Sequence, residues 1–308
     1  MKLKRYSKNP ILKPTKNWWE NSSVFNAGVV MDKGKVKILY RAIGEDNISR
    51  FGYAESLDGF LITKRLPLPA YESNIQNPYE RIGCEDPRIT KIDDTFYITY
   101  CASSLYPAIA PKPKGIIGAP FRCRIAMLST EDFKTFKHYG VVLSKLDDKN
   151  AVLFPEKIGG NYVMLHRIFP DIWIAYSKDL RHWTGHEKIM SRKEPWEFSK
   201  IGAGSPPIKT QKGWLEFYHA ADKDNVYRLG IVVFALDDPE KIIYRSKEPI
   251  LEPEMPYEKR GIVSYAPKVV FTCGAVEKNN EYLVYYGASD RYLCVAMIDK
   301  KEVLKEIK

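Results

Sequence analysis

The stretch Gly83-Cys84-Glu85-Asp86-Pro87-Arg88-Ile89-Thr90 decides how this chain is interpreted, because its pattern returns four more times. It opens with an acidic turn, continues as Pro-X-apolar, and leads through a second turn to an apolar run that ends in aromatic-X-Ala. Related frames begin at Asn26, Pro155, Pro206 and Pro267. Markers at residues 27, 87, 155, 206 and 267 are 60, 68, 51 and 61 residues apart. Five copies at a period of about 60 residues predict one repeat architecture.

Each repeat contains the same series of strands and turns. An apolar run, a turn rich in Gly, Asp or Asn, and a second apolar run precede a third run at residues 51–56, 124–129, 172–177, 228–234 and 292–298. A short fourth strand is predicted at residues 141–143 and 241–244. Four strands in each of five repeats predict an all-β, five-bladed β-propeller, a single domain over residues 1–308.

Two insertions interrupt the period, at residues 103–122 and 181–200. The first contains four prolines and is too long for a hairpin, so we expect a lid or a contact loop there. The second contains Trp183 and Trp196. Long loops on a rigid scaffold often carry specificity, and disordered surface or an oligomer contact is the equal alternative.

The composition indicates a folded globular protein. Hydrophobic residues make up 44% and aromatic residues 13% of the 308 residues, enough for a large core. No apolar run resembles a signal peptide or approaches the roughly 18 residues of a membrane span. The five cysteines form no CxxC pair, so we expect reduced thiols and a cytoplasmic location. Assembly into a homo-oligomer stays open.

The net charge of +10 favours an anionic partner. The 48 Lys and Arg residues are scattered among 38 acids without a basic run, which disfavours nucleic acid as the partner. A small anion bound in a focused site fits this distribution better. The chain has no Cys/His metal spacing and no phosphate-cradling glycine loop, so no metal or organic cofactor is expected.

Propeller geometry predicts where polar residues gather. The start of the innermost strand of a blade and the end of the next strand share one rim. The predicted first-strand starts are Asn26, Asp86, Phe154, Ser205 and Ala266. The predicted second-strand ends are Arg41, Cys101, His166 with Arg167, and His219, with Asp290 just beyond the last repeat. Such a set is too polar for a core and predicts a functional site.

Asp86 is the one acid fixed at a strand start, and its alternative role is a structural ion pair with Arg88. Strand alternation predicts that Glu85 faces the opposite way. A glycosidase normally needs two carboxylates. A phosphate nucleophile needs no base, because it arrives as an anion that cations must hold. One acid beside a cationic set therefore favours phosphorolysis; the set is Lys149, Arg167, Lys200 and His219.

Ordered phrases between Phe25 and Asp290 carry a family resemblance. They include Phe25-Asn26-Ala27-Gly28, Tyr40-Arg41, Glu85-Asp86-Pro87-Arg88, Lys149-Asn150-Ala151-Val152-Leu153-Phe154-Pro155-Glu156-Lys157, Leu165-His166-Arg167, Gly202-Ala203-Gly204-Ser205-Pro206-Pro207, Tyr218-His219, Tyr227-Arg228-Leu229-Gly230 and Tyr285-Tyr286-Gly287-Ala288-Ser289-Asp290. On these phrases the chain resembles glycoside hydrolase family 130, the β-mannoside phosphorylases and mannosidases built on a five-bladed propeller.

The resemblance implies a role for each candidate residue. Asp86 would be the general acid. The mannosyl unit would be held by Asn26, Arg41 and Asp290, and the candidate sugar-binding set is completed by Arg50, Arg88 and His166. Phosphate would be bound by Asn150, Arg167, Lys200, His219 and Tyr227, with Lys149 where some relatives carry arginine.

The resemblance also implies a reaction. We expect inverting phosphorolysis of β-mannosides, most similar to that of β-1,2-mannobiose or short β-1,2-oligomannosides, to α-D-mannose 1-phosphate and a shortened sugar. Inorganic phosphate is the expected co-substrate. The alternatives are a β-1,4-mannosyl phosphorylase, a β-mannosidase that uses Glu156, Glu216 or Asp290 as its base, and a non-catalytic sugar-binding propeller.

Overall fold

The computed structural model describes residues 1–106, 121–261 and 267–307. The chain is mostly β, with 54% of its residues in strands and 5% in helices, which confirms the all-β prediction. Most of the predicted loop at residues 103–122, and the predicted strand start at Ala266, lie outside the described residues. No described helix is long and apolar enough to cross a membrane.

The strands form five antiparallel groups, here called units 1 to 5; a parallel bridge between Ser49 and Gly83 joins the first two groups into one sheet. The N-terminal strand is β1 (Lys4–Arg5). Unit 1 contains β2 (Ser23–Asp32), β3 (Lys35–Ile43), β4 (Ser49–Ser56) and β5 (Ile62–Arg65). Unit 2 contains β6 (Gly83–Ile92), β7 (Thr95–Leu105), β8 (Phe121–Thr130) and β9 (Lys137–Leu143). Unit 3 contains β10 (Lys149–Leu153), β11 (Tyr162–Ile168), β12 (Asp171–Ser177) and β13 (Trp183–Met190).

The last two units differ slightly in composition. Unit 4 contains β14 (Lys200–Gly202), β15 (Ile208–Thr210), β16 (Gly213–Ala221), β17 (Tyr227–Phe234) and β18 (Ile242–Arg245); β14 and β15 both pair with β16. Unit 5 contains β19 (Val270–Lys278), β20 (Glu281–Ala288) and β21 (Tyr292–Asp299), and β1 from the N-terminus is its outer strand. The described helices are α1 (Pro256–Lys259), α2 (Lys300–Glu306) and a 3-10 turn at Pro195–Glu197.

The five predicted third strands coincide with β4, β8, β12, β17 and β21. The prediction of an insertion at residues 181–200 was wrong. β13 occupies much of this segment and is the fourth strand of unit 3. Most of β13 is exposed, so it lacks the apolar alternation by which a strand is recognised.

Each hydrophobic core lies between two neighbouring units. One cluster joins units 1 and 2, and further clusters join units 2 and 3, units 3 and 4, and units 4 and 5. The remaining large cluster joins unit 5 to unit 1, where β19 also contacts β2. Full burial of each large apolar side chain stabilises the fold by about 1.5–3 kcal/mol. Among the first strands, β2 contacts β6 and β19, and β6 contacts β10.

In every unit a buried acid makes a hydrogen bond to an aromatic side chain on the strand that pairs with the first strand. We call this hydrogen bond the acid–aromatic strut. In four units a tyrosine hydroxyl donates to a glutamate, and in unit 3 a histidine contacts an aspartate. The pairs are Tyr40–Glu20 at 2.8 Å, Tyr100–Glu80 at 2.6 Å, His166–Asp148 at 2.6 Å, Tyr218–Glu197 at 2.6 Å and Tyr286–Glu258 at 2.8 Å. A buried hydroxyl and a buried carboxylate each need a partner, and the strut supplies both.

Candidate active site

Bulges at the starts of three first strands shape the site. Asn26, Asp86 and Asn150 have φ values of 42°, 53° and 58°, in the left-handed region. Each lies where the register shifts against the second strand. Asparagine and aspartate tolerate this conformation better than most residues. Three equivalent polar side chains therefore face one cavity, and the start predicted at Phe154 belongs instead to Asn150.

The bulge also corrects the expected direction of Glu85. Its carboxylate lies at the same cavity as that of Asp86, because the extra residue breaks strand alternation. Arg41 bridges the two acids: Nη1 lies 3.2 Å from Asp86 Oδ1 and Nη2 lies 3.0 Å from Glu85 Oε1. Asn26 Nδ2 donates to Asp86 Oδ1 at 2.9 Å. These residues form what we call the acidic half of the site.

Both acids of this half are held as anions. Burial by itself raises the pKa of Asp86, but Arg41 and Arg88 outweigh it and the pKa lies below its usual value. Burial likewise opposes ionisation of Glu85, whose pKa is lowered by Arg41 and Lys149. Lys149 Nζ lies 3.4 Å from Glu85 Oε2 and links this half to the cations.

Asp290 is a third carboxylate at the cavity and differs from the other two. It follows β20 with a φ of 54°. Burial raises its pKa to about 6; Arg41 opposes the shift, and the negative charges of Asp86 and Glu85 add to it. Asp290 is therefore the acid of this site that changes charge close to neutral pH.

The opposite wall, here the basic half, carries cations from units 3 and 4. Lys149 pairs in register with Arg167, and Lys200 begins β14. Burial, followed by the charges of Arg167 and Lys149, lowers the pKa of Lys200 to about 8. Within the described ranges, neither Arg167 nor Lys200 has a carboxylate within 4.0 Å, and Arg167 Nε is buried without a partner. Crowded like charges without counter-charges are the electrostatic signature of an anion site.

Arg88 joins the two halves from below. Its side chain is 1% exposed. Nη1 donates to the Asp86 carbonyl at 2.8 Å, Nη2 to Asn150 Oδ1 at 3.2 Å, and Nε to the Gly204 carbonyl at 3.0 Å. The alternative role considered for Asp86 was an ion pair with Arg88. The structure shows instead a hydrogen bond from Arg88 to the main-chain carbonyl of Asp86.

The cavity between the halves has a volume of about 390 Å³. Of the candidate residues, its lining includes Asn26, Arg41, Asp86, Lys149, Asn150, Arg167, Lys200, Tyr227 and Asp290. Glu85, which strand alternation had placed on the opposite face, lines the cavity as well. Further lining residues that the sequence analysis did not single out are Phe25, Asn47, Phe121, Cys123 and Phe271. Phe25 stands in the quoted Phe25-Asn26-Ala27-Gly28 phrase, which could have indicated it. Asn47 lies in the turn between β3 and β4, and Phe121 is the first residue of β8; neither gave a signal in the sequence.

Four candidates do not line this cavity as the structure describes it. Arg50 binds Asp46 at 2.6 Å and Glu72 at 3.3 Å, and its guanidinium lies over Trp18. His219 is fully buried and stacks on Phe271, with ring centroids 4.0 Å apart. Its Nε2 lies 3.0 Å from Asn150 Nδ2, so it supports a lining residue.

The other two are fully enclosed. Arg88 lies beneath the halves, and His166 lies behind the basic half in its strut with Asp148.

The ring of His219 is neutral. Burial, followed by the charges of Arg88, Arg167 and Lys200, lowers its pKa well below the usual value.

The three acids considered as bases for hydrolysis lie in different places, and only one of them lines the cavity. Glu156 is exposed at the surface beside Lys209. Glu216 is fully buried; its Oε1 accepts from the Gly204 amide at 3.0 Å, and burial raises its pKa to about 8. Asp290 is the member of that set that reaches the cavity. Ser205, predicted as a strand start, is buried, and its hydroxyl accepts from the Phe217 amide. The described residues contain no group of three or more acids, histidines or cysteines suited to a metal.

Comparison with known proteins gives a consistent result. A family model described as β-1,4-mannooligosaccharide phosphorylase, of the glycoside hydrolase 130 type, matches residues 2–308. A 1,2-β-oligomannan phosphorylase of Thermoanaerobacter sp. (strain X514) is 43% identical over 314 residues, covering 98% of this chain and 99% of the relative. A β-1,2-mannobiose phosphorylase of the same organism is 44% identical over 318 residues, with the same coverage.

A solved structure gives the same picture in three dimensions. β-1,2-Mannobiose phosphorylase from Listeria innocua, in complex with β-1,2-mannobiose, superposes with a TM-score of 0.85 at 28% identity. The match covers 100% of this chain and 99% of that structure.

Proposed function

The chain belongs to the glycoside hydrolase 130 family, and on that premise we propose that it is an inverting β-mannoside phosphorylase acting on β-1,2-mannobiose or short β-1,2-oligomannosides. The observation that carries the proposal is the basic half. Lys149, Arg167 and Lys200 line one wall, and the latter two lack counter-charges among the described residues. Inorganic phosphate supplies the missing negative charge and is at the same time the nucleophile.

We also propose that the five units are the blades of a five-bladed propeller. Two observations support this arrangement. The hydrophobic clusters join neighbouring units in chain order and return from unit 5 to unit 1. The N-terminal β1 completes the sheet of unit 5, so the first and last segments of the chain are tied together.

In the proposed reaction the two halves have separate tasks. Asn26 and Arg41 of the acidic half, together with Asp290, hold the mannosyl unit. Phosphate binds the basic half through Lys149, Asn150, Arg167, Lys200 and Tyr227, with His219 behind Asn150. A phosphate oxygen attacks the anomeric carbon from the face opposite the leaving oxygen, so the configuration inverts to α-mannose 1-phosphate. Asp86 donates the proton that the leaving oxygen needs, directly or through a sugar hydroxyl.

The lowered pKa of Asp86 is compatible with a role as the acid, because bound phosphate changes the charge around it. A phosphate dianion beside Asp86 adds a like charge, which raises the pKa of the carboxyl. The same anion draws the positive charges of Lys149 and Arg167 away from the acids. We therefore expect Asp86 to take up its proton when the nucleophile binds.

The β-1,2 linkage is favoured over β-1,4. The family description names β-1,4-mannooligosaccharides, but two relatives that share 43% and 44% identity over nearly the whole chain are named for β-1,2-linked substrates. The cocrystallised ligand of the Listeria innocua structure is also β-1,2-mannobiose.

Hydrolysis is the second candidate, and Asp290 is the observation in its favour. It lines the cavity and has a pKa of about 6, which suits a base that activates water near neutral pH. The cations of the basic half would have no task in that reaction.

Product analysis on β-1,2-mannobiose, with and without inorganic phosphate, separates the candidates. We expect α-mannose 1-phosphate only in the presence of phosphate. Equal release of free mannose in both samples would reject the phosphorylase and favour Asp290-assisted hydrolysis. If β-1,4-mannobiose is cleaved with phosphate and β-1,2-mannobiose is not, the enzyme is still a phosphorylase but acts on a different linkage.

A further inference from the structure

The acid–aromatic strut of unit 3 departs from the other four. In units 1, 2, 4 and 5 the pair is glutamate and tyrosine, and in unit 3 it is Asp148 and His166. In units 1 to 4 the residue after the aromatic is one predicted at the rim, and after His166 this residue is Arg167; in unit 5 it is Gly287. The residue after Asp148 is Lys149. One strut thus adjoins two cations of the basic half, which pair with each other across β10 and β11.

Asp148 makes a contact that the other strut acids do not make in the part of the chain described. Its Oδ2 lies 2.6 Å from His166 Nδ1, and its Oδ1 accepts from the Arg167 main-chain amide at 3.0 Å. The corresponding glutamates bind loop amides, hydroxyls or arginine side chains instead, as Glu197 does with the amides of Lys193 and Glu194. The unit 3 acid is therefore attached directly to the backbone that carries an anion-binding side chain.

The local backbone explains why such an attachment is needed. The bulge at Asn150 separates the Lys149–Arg167 pair from the rest of the ladder, which resumes at Val152, so a single register pair holds this end of β10 against β11. Arg167 has its Nε buried without a partner, and its guanidinium faces an open cavity. Asp148 is 4% exposed and His166 is 0% exposed, so their bond is shielded from water.

We propose that Asp148 and His166 are positioning residues that hold Lys149 and Arg167 in the geometry that binds the phosphate oxygens. In this proposal the two residues contact neither sugar nor phosphate. The role of His166 therefore differs from the sugar binding that the sequence led us to expect. His166 donates from Nδ1 to Asp148, and its Nε2 meets Nδ1 of His186 at 3.2 Å. The inference rests on the proposed use of the basic half for phosphate.

The test compares two substitutions of His166 that differ in where they place an amide. His166→Asn places an N–H donor where Nδ1 stands and keeps the bond to Asp148; His166→Gln places it near Nε2 and loses that bond. We expect His166→Gln and Asp148→Asn to raise the KM for phosphate about tenfold, the lower end of the loss typical when an outer hydrogen-bond partner of a ligand-binding group is removed. We expect the KM for the mannoside and kcat to change by less than about twofold, and His166→Asn to resemble the parent protein.

Two control variants separate positioning from stability. Tyr100→Phe breaks the equivalent strut of unit 2, which adjoins Cys101 rather than an anion ligand, and should lower the melting temperature without changing the KM for phosphate. His182→Gln removes an exposed histidine–aspartate pair and should change neither. If His166→Asn and His166→Gln behave alike, or if Tyr100→Phe also weakens phosphate use, the strut is merely structural and the inference is wrong.

Calorimetric titration of the free proteins with inorganic phosphate distinguishes this inference from the proposed function. If the parent protein binds phosphate but releases only free mannose, phosphorolysis is rejected. In that case, weaker phosphate binding by His166→Gln but not by His166→Asn would still support the positioning role of the strut. A parent protein that binds no phosphate at all would overturn both.

Discussion

The acidic and basic halves of the cavity are built from equivalent positions of neighbouring units, yet they treat charge in opposite ways. In the acidic half Arg41 lies within 3.2 Å of both Glu85 and Asp86, so each carboxylate has a cation. In the basic half Arg167 and Lys200 have no such partner among the described residues, and the pKa of Lys200 falls to about 8. The two carboxylates of the first half have a counter-charge, and the second half lacks one, which is the basis for our proposal that phosphate binds there. This difference indicates where the nucleophile binds.

The largest expected effect comes from removing the acid and leaving its surroundings. Asp86→Asn keeps an acceptor for Asn26 and Arg41 but cannot protonate the leaving oxygen. We expect kcat to fall about 10²–10⁴-fold, measured as mannose 1-phosphate release, while phosphate still binds. Glu85→Gln is the matched control, with a smaller loss. An equal loss in both variants would show that Asp86 is not the distinctive acid.

Arg88→Lys breaks the link between the halves. Lysine cannot reproduce the fork that reaches the Asp86 carbonyl, Asn150 Oδ1 and the Gly204 carbonyl. Since hydrogen bonds to a charged group contribute about 1.5–3 kcal/mol each, we expect kcat/KM to fall about 100-fold. Both KM values should rise together. A rise in one KM alone would mean that Arg88 supports only one half.

Lys200→Gln tests the basic half by itself. Loss of one charge-assisted contact should raise the KM for phosphate about 10–100-fold and leave the KM for the mannoside unchanged. Lys200→Arg keeps the charge and should recover most of the affinity. Steady-state kinetics with each substrate varied in turn provides the measurement, and an equal change in both KM values would contradict the division into halves.

The pH dependence of phosphate use sharpens the same point. Lys200 is charged below a pKa of about 8 and loses its proton above it. We therefore expect the KM for phosphate to rise as pH increases through about 8, by up to about tenfold per pH unit if the charged form alone binds. Lys200→Arg should flatten this rise, because arginine stays charged. A flat profile in the parent protein would argue against Lys200 as a ligand.

The smallest expected effect concerns Glu216, which lies beyond both halves. Its pKa is raised from 4.5 to about 8 in the folded protein, so the folded chain keeps this proton at pH values where the unfolded chain has lost it. Stability therefore falls as pH rises from about 4.5 to about 8. Glu216→Gln should raise the melting temperature by about 2 °C or more at pH 8, and by less at pH 5. An unchanged melting temperature at pH 8 would mean that water reaches the carboxyl.

The sequence was sufficient for the repeat, the all-β class and the family. These depend on local patterns such as the Pro-X-apolar frame and the third strands, which lie within a few residues of their predicted bounds. It missed β13, because an exposed edge strand carries no apolar alternation. It also missed the acid–aromatic struts, although an acid 18 to 28 residues before each aromatic is visible once the pairs are known.

The sequence by itself indicated a polar site that contains Asn26, Arg41 and Asp86, because the repeat period points to one first-strand start and one second-strand end in each repeat. The strand starts that it predicted at Phe154 and Ser205 were wrong. Only the tertiary structure decided which way the rim side chains face and what they touch. Glu85 turns towards the cavity because a left-handed residue follows it, and His166 turns away because Asp148 is there to receive it. Both outcomes depend on a bulge and on contacts between residues distant in the chain, and strand alternation contains neither.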